Sequence, residues 1–276
     1  LHESIKGAVV DFHFDGRHLA RTVSDRQGMA AAEHTLTAGH GPSTYRAHGY
    51  HNGRTVWATG RVFYWDPRKT IIAVDVDDTI SRTHYPDLFF AGRDRHSPPL
   101  EGAVETLWKL SADYELLYLS ARPRFLNAKT RQWLADHRFP PGAVANAARF
   151  EACLHQQRYK HEMLVKLRER FPNVLIGVGD KKVDERVYGG NGMLSIIIDR
   201  PLFTNYGRHS FVFPDWAAAS TFFEQQHARL SDAAHLSSLI ADSGMDLRPA
   251  FPAGPPPVER MTSGDPALKE RAVVKA

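Results

Sequence analysis

The rhythm of polar and apolar positions changes near residue 67. Upstream, short runs rich in Val, Phe, Tyr and Trp alternate with turn residues. Val9, Val10, Phe12 and Phe14 precede Asp15-Gly16, and residues 44–50 and 56–64 flank His51-Asn52-Gly53. An Asn-Gly step between alternating segments predicts a two-residue hairpin, and several such strands predict a small all-β sandwich over residues 1–66. Downstream the apolar runs become continuous. Residues 70–74, 114–119 and 174–178 suit strands buried on both faces of a parallel sheet. Between them, the stretches from Glu101, Thr130 and Lys160 carry apolar residues three and four apart, as in Met163, Leu164, Leu167 and Phe171. Alternating strands and helices predict an α/β domain with a parallel sheet over 67–214. Trp216, Ala219, Phe222, Phe223, Leu230, Leu236, Leu239 and Ile240 predict a helical extension over 215–246. The Pro-rich text that follows predicts a disordered tail over 247–276.

The polar residues that interrupt this pattern concentrate where strands should end. The first buried run stops in Asp75, Asp77, Asp78 and Thr79, the second in Ser120, and the third in Gly179-Asp180, with Asp184 four residues on. Ligands of open α/β sheets bind at the carboxyl ends of the strands. Carboxylates gathered there repel one another unless a cation or proton offsets them, and hard oxygen donors suit Mg²⁺. Lys160, at the head of its amphipathic stretch, supplies a further positive charge. On residue type alone, an acidic turn after a strand remains an alternative, and Asp78 reads as a turn or cap residue.

Acid pair, hydroxyl, lysine and second acid pair, in that order, resemble the haloacid dehalogenase superfamily of phosphohydrolases. D-x-D-x-T falls on Asp75, Asp77 and Thr79, the strand-end Ser on Ser120, the Lys on Lys160, and G-D-x-x-x-D on Gly179, Asp180 and Asp184. The local texts S-A-R-P, R-Y-K-H-E-M-L and V-G-D-K-K-V-D-E-R-V-Y-G are similar to the LNS2 domain of lipin-type and phosphatidylinositol-transfer proteins, and to App1-type phosphatidate phosphatases. The resemblance covers residues 67–199. It implies a Rossmann-like core in which Asp75 is the nucleophile, Asp77 the general acid and base, and Ser120 and Lys160 the phosphate-binding and charge-balancing groups. It also implies a Mg²⁺ held by Asp75, Asp180 and the backbone carbonyl of Asp77, with Asp184 orienting a metal water or Lys160. Thr79, by its place after the strand, reads as a residue that bonds backbone in the loop. Some relatives have lost the acid pair and only bind phosphatidic acid; here both acids are present.

Charge and composition narrow the partners. Net charge is +4 although the predicted crevice is acidic, so the excess base lies elsewhere. Arg122, Arg124, Lys129 and Arg131 are candidates for an anion-attracting rim, and Lys181 and Lys182 read as a solvated loop. Fifteen histidines are scattered without a Cys cluster or an H-x-x-x-H pair, so no zinc site is expected, and His34, His40, His48 and His51 read as polar surface. Cys153 is the single cysteine, which excludes an intramolecular disulfide. No stretch has the length of a membrane span and residues 1–20 lack a signal-peptide pattern. These features set the expectation of a cytoplasmic protein, peripheral at most on a membrane. The sequence begins at Leu1, not at a methionine, so an upstream leader or anchor stays outside this reading.

The segment between the first acids and the helix from Glu101 is too short for a cap domain, and the resemblance then implies a bulky or surface-displayed substrate, as in capless members of that superfamily; Leu88, Phe89 and Phe90 read either as lipid contacts or, preferably, as a loop anchored to the core. The expected function is a Mg²⁺-dependent phosphohydrolase working through an aspartyl-phosphate, and the resemblance alone implies phosphatidic acid or a related phosphomonoester lipid as substrate. The alternatives are a phosphatase for soluble or nucleic-acid-end phosphomonoesters and a non-catalytic phosphatidate-binding module. Nucleic acid is not the expected partner, and oligomeric state is left open.

Overall fold

The structure, a computed structural model, describes residues 5–26, 28–34, 43–90, 96–147, 155–198 and 210–242. Cys153, His40 and the tail from 247 lie outside them. The chain divides into two compact units, Leu1–Trp65 and Asp66–Ala276.

The first unit is an antiparallel sheet of β1 (Val9–Phe14), β2 (Arg17–Val23), β3 (Ser43–His51) and β4 (Arg54–Val62) in the order β2-β1-β3-β4. Both hairpins turn through residues with positive φ: Asp15 and Gly16 at 45° and 80°, Asn52 and Gly53 at 47° and 73°. These are the twisted two-residue turns that the Asn-Gly step predicts. Among the described residues the unit is one sheet; no second sheet packs on it to make a sandwich.

The second unit holds a six-stranded parallel sheet in the order β10-β9-β8-β5-β6-β7, flanked by helices. Its strands are β5 (Ile71–Asp75), β6 (Glu115–Pro123), β7 (Ala143–Ala147), β8 (Val174–Gly179), β9 (Leu194–Ile198) and β10 (Ser210–Phe213). Every residue of β5, β8 and β9 is buried, which is why these runs are apolar without alternation. The helices are α1 (Tyr85–Phe90), α2 (Ala103–Leu110), α3 (Asn127–Asp136), α4 (Gln156–Arg170), α5 (Lys182–Gly190), α6 (Trp216–Gln225), α7 (His227–Leu230) and α8 (Ala233–Asp242).

Strand order locates the crevice. From β5 the chain builds outward through β6 and β7, then crosses to the other side of β5 for β8, β9 and β10. The order therefore reverses between β5 and β8, and at such a switch point the loops leave in opposite directions and open a cleft. Asp75 closes β5, and Asp180 directly follows β8.

The C-terminal helices pack into the same core. Asp215 caps α6 by accepting from the Ala218 backbone N–H at 2.8 Å. Trp216, the first residue of α6, is buried and donates its indole N–H to the Thr79 carbonyl at 2.8 Å. The helix thus pins the loop that follows Asp75. Between β5 and α2 the one described element is the six-residue α1, and no inserted cap domain occurs among the described residues. Leu88 of α1 is buried and anchors this loop to the core, so it is not a lipid contact.

Candidate active site

The acids of the two central strands converge. One carboxylate oxygen each from Asp75, Asp180 and Asp184 lies within 4.8 Å of the others. Asp75 is buried, and burial is the main force lifting its carboxyl to about 7. Lys160 pulls it down, while repulsion from Asp184, Asp77 and Asp180 raises it further. Asp180 is also lifted to about 7, by burial first and against the pull of Lys181. Two adjacent carboxyls, both disfavoured as anions, form a site that a hard divalent cation would relieve. The all-oxygen donor set fits Mg²⁺.

Lys160 is fixed from two sides. It lies in the second turn of α4, not at the start of the helix, and its side chain is buried. Its Nζ lies 2.7 Å from Asp75 Oδ1 and 2.6 Å from Asp184 Oδ1. Burial works against its charge, but Asp184 and Asp75 outweigh burial and hold the ammonium well above its ordinary range. Asp184 is held in turn by the turn that starts α5. Its Oδ2 accepts from the backbone N–H groups of Asp180 and Lys181, both at 3.3 Å. Gly179 makes the approach possible: a Cβ there would stand 2.4 Å from Asp184 Cβ. The G-D-x-x-x-D spacing therefore brings an acid back under its own strand end, where it meets Lys160.

Thr79 departs from expectation. Its hydroxyl does not bond backbone; it is buried between the acids, 3.4 Å from Asp75 Oδ2 and 3.3 Å from Asp180 Oδ1. Asp78 adopts a left-handed φ of 62° and points its carboxylate at Lys181, 3.3 Å away. That turn role matches its reading as a structural residue.

Asp77 and Ser120 meet on the other side of Asp75. Ser120, buried within β6, donates to Asp77 Oδ2 at 3.2 Å. Thr83 donates to Asp77 Oδ1 at 2.8 Å. The strongest partner is Arg122. Its Nε lies 3.1 Å from both carboxylate oxygens of Asp77 and its Nη2 lies 2.8 Å from Oδ1. Burial opposes ionisation of Asp77, yet the guanidinium prevails and holds the carboxyl below its usual range.

Arg122 therefore does not belong to a surface rim; it is buried and paired. Lys129 leaves the rim as well, because its ammonium donates to the carbonyls of Asp87 and Leu88 at 2.7 and 2.8 Å. Arg124 and Arg131 remain exposed. Arg122 is the residue that charge counting misplaced. The pairing of β6 is irregular between Ser120 and Pro123, so strand alternation does not announce that Arg122 and Ser120 both reach Asp77.

Comparison with known proteins supports the segment read from the motifs. Residues 72–194 match the family described as the LNS2 domain of PITM 1-3. No curated protein matches the chain's sequence. Among solved structures, a Pnkp1/Rnl/Hen1 complex matches at 14% identity with TM-score 0.40, over 50% of this chain and 46% of that one. A second Pnkp1/Rnl/Hen1 RNA repair complex matches at 14% identity and TM-score 0.40, over 51% of this chain and 43% of that one. The chain thus spans less than half the length of these two. The NMR core domain of a candidate phosphoglycolate phosphatase from Streptococcus pneumoniae TIGR4 matches at 14% identity and TM-score 0.35, over 57% and 96% of the two chains. Asp75, Asp77, Thr79, Ser120, Lys160, Asp180 and Asp184 all fall inside the matched residues, and this segment is similar to an LNS2 domain.

Proposed function

We propose that this chain is a Mg²⁺-dependent phosphomonoester hydrolase of the haloacid dehalogenase type, with Asp75 as nucleophile. The observation that carries this reading is the placement of Asp75 at the sheet's switch point, buried, 2.7 Å from Lys160 Nζ and grouped with Asp180 and Asp184. A bound Mg²⁺ would be held by Asp75, Asp180 and the Asp77 backbone carbonyl, and would supply the charge that lets an anion approach an anionic phosphate. Asp75 attacks phosphorus, and the bond to the leaving oxygen breaks as the aspartyl-phosphate forms. Lys160, ionised and immobile between Asp75 and Asp184, offsets charge on the nucleophile and the transferring group. Ser120 presents its hydroxyl to a phosphoryl oxygen. Asp77 donates a proton to the leaving oxygen and then takes one from the hydrolytic water.

The substrate we propose is phosphatidic acid or a related lipid phosphomonoester, supported by the LNS2 match over residues 72–194 and by a crevice without a cap domain among the described residues. No described helix is long and apolar enough to cross a membrane, so the lipid would be met at a surface. A second reading, a phosphatidate-binding module that does not turn over, is favoured by Asp77. With both oxygens on Arg122, it is held as an anion and directed away from proton donation.

Phosphate release across phosphatidic acid, sugar phosphates and nucleotides, with Mg²⁺ and with a chelator, tests both readings. Mg²⁺-dependent release from phosphatidic acid that vanishes in Asp75→Asn, with folding intact, is the expected result. Release only from soluble esters overturns the lipid assignment. Phosphatidate vesicle binding with no release from any ester establishes the binding module instead.

A further inference from the structure

A second group of ligand-type side chains lies on the loop that leads from β5 to α2. His84 precedes α1, Asp87 is in its first turn, and His96 returns after the helix. One ligand atom from each lies within 4.8 Å of the other two. His84 Nδ1 faces Asp87 Oδ1 at 3.2 Å, and His96 Nδ1 faces Asp87 Oδ2 at 2.5 Å. The imidazole centroids are 5.6 Å apart at an interplanar angle of 67°. Both rings thus turn the same nitrogen toward one carboxylate, and each takes a different oxygen.

The backbone beneath them is tied down at several points. The His84 N–H donates to Ser97 Oγ at 2.7 Å, and the Ser97 carbonyl accepts from the Trp133 indole at 2.7 Å. Arg82 N–H donates to the Pro98 carbonyl at 2.8 Å, and Lys129 holds the carbonyls of Asp87 and Leu88. These contacts hold the backbone on either side of the two histidines, which lowers the cost of ordering the ligands when an ion binds.

We propose that His84, Asp87 and His96 form a Zn²⁺ site, separate from the Asp75 crevice. Two imidazoles and one carboxylate are the borderline donor set that selects zinc over Mg²⁺, and three protein ligands leave a fourth position for water. A tetrahedral zinc with bonds of about 2 Å spaces its ligand atoms about 3.3 Å apart. His84 Nδ1 and Asp87 Oδ1 stand near that spacing at 3.2 Å, whereas His96 faces the other oxygen, Oδ2, so its ring must turn for both imidazoles and one Asp87 oxygen to meet a single ion. The His96 side chain is 72% exposed, so the ring that must turn lies at the surface. The sequence concealed the site because H-x-x-D spans only the first turn of a short helix, and His96 joins it through the returning loop. Thr83, beside His84, carries the hydroxyl bonded to Asp77, so the metal would stiffen the loop that borders the crevice.

The test uses the full chain carrying Asp75→Asn and Asp180→Asn, which removes the crevice as a competing site. After incubation with Zn²⁺ and desalting, one metal equivalent should remain by elemental analysis. Co²⁺ in its place should give the intense visible absorption of a tetrahedral complex. His96→Ala in that background should weaken zinc binding by more than the about 10–100-fold typical of outer-shell changes, as should Asp87→Asn, while His235→Ala should not. Circular dichroism confirms that each variant is folded. Absence of a retained equivalent, or equal zinc retention in His96→Ala and Asp87→Asn, overturns the proposal and leaves two imidazoles hydrogen-bonded to one carboxylate.

Discussion

The crowded carboxylates make stability depend on pH and Mg²⁺ together, with a sign opposite to that of an ordinary salt-bridged acid. Asp75 titrates near 7 in the folded chain against 3.8 as a free side chain, mainly because it is buried. Between those values the folded state holds a proton that the unfolded state has released. This stabilisation is complete below about pH 4 and is lost as pH rises through about 7. One such proton changes stability by about 1.4 kcal/mol per pH unit, or about 3 kcal/mol between pH 5 and 7. Asp180 shares the same cluster, so we count one proton for the pair. In a domain of this size that corresponds to a fall in Tm of about 6–12 °C. To isolate this cluster from the rest of the protein, the quantity to measure is the wild-type change minus that of Asp75→Asn/Asp180→Asn. Scanning fluorimetry from pH 5 to 8 in chelator should show the wild type losing Tm relative to the variant. Mg²⁺ at 100 times its Kd should return about 2.7 kcal/mol at pH 8 and much less at pH 5, where the acids are protonated. A flat difference between the two proteins, or an equal Mg²⁺ shift at both pH values, would refute the reading of these acids as one cation site.

Three substitutions probe the remaining parts. Asp77→Asn should slow hydrolysis of esters with poor leaving groups more than that of p-nitrophenyl phosphate, which needs little protonation; equal losses on both would remove Asp77 as general acid. Lys160→Met leaves Asp75 and Asp184 buried without their cation and should cost about 3–5 kcal/mol by denaturant unfolding at pH 8. A cost below about 1 kcal/mol, the range of exposed pairs, would contradict the buried bridge. Gly179→Ala pushes a methyl against Asp184, and should cost about 1–3 kcal/mol while lowering kcat by displacing Lys160; unchanged kcat would show that Asp184 does not position the lysine.

How far the sequence reveals this site depends on whether a residue's partner is set by local pattern or by the path of the chain. The buried runs from Ile71, Glu115 and Val174 gave both the parallel sheet and the strand ends where the acids gather, because burial on two faces leaves an apolar text that stops where the strand does. The order of β5 and β8 in the sheet is not written in either strand, and only the crossing of the chain makes Asp75 and Asp180 neighbours. Thr79 was misread for a related reason: a Thr after a strand suits a turn, and its placement between two acids depends on Trp216 holding the loop from 137 residues away. The N-terminal unit announced its hairpins through Asp15-Gly16 and Asn52-Gly53, but whether its sheet has a covering layer is not a local property.

Arg122 sharpens the point, since net charge suggested a rim and the structure buries the residue. An arginine at the surface gains little from a distant anion, whereas a buried guanidinium requires a carboxylate with matching geometry, and Asp77 provides one. The pair holds Asp77 below its usual range, while Asp75 and Asp180 are held above it. A phosphomonoester entering beside Ser120 would compete with Asp77 for the same guanidinium, because phosphate also accepts two parallel N–H bonds. If that exchange frees Asp77, Arg122 links phosphate binding to release of the general acid. Arg122→Lys keeps the charge but loses the fork, and should raise KM and lower kcat together on poor leaving groups. A change confined to KM would make Arg122 a phosphate ligand alone, and no change in either constant would return Asp77 to independence from it.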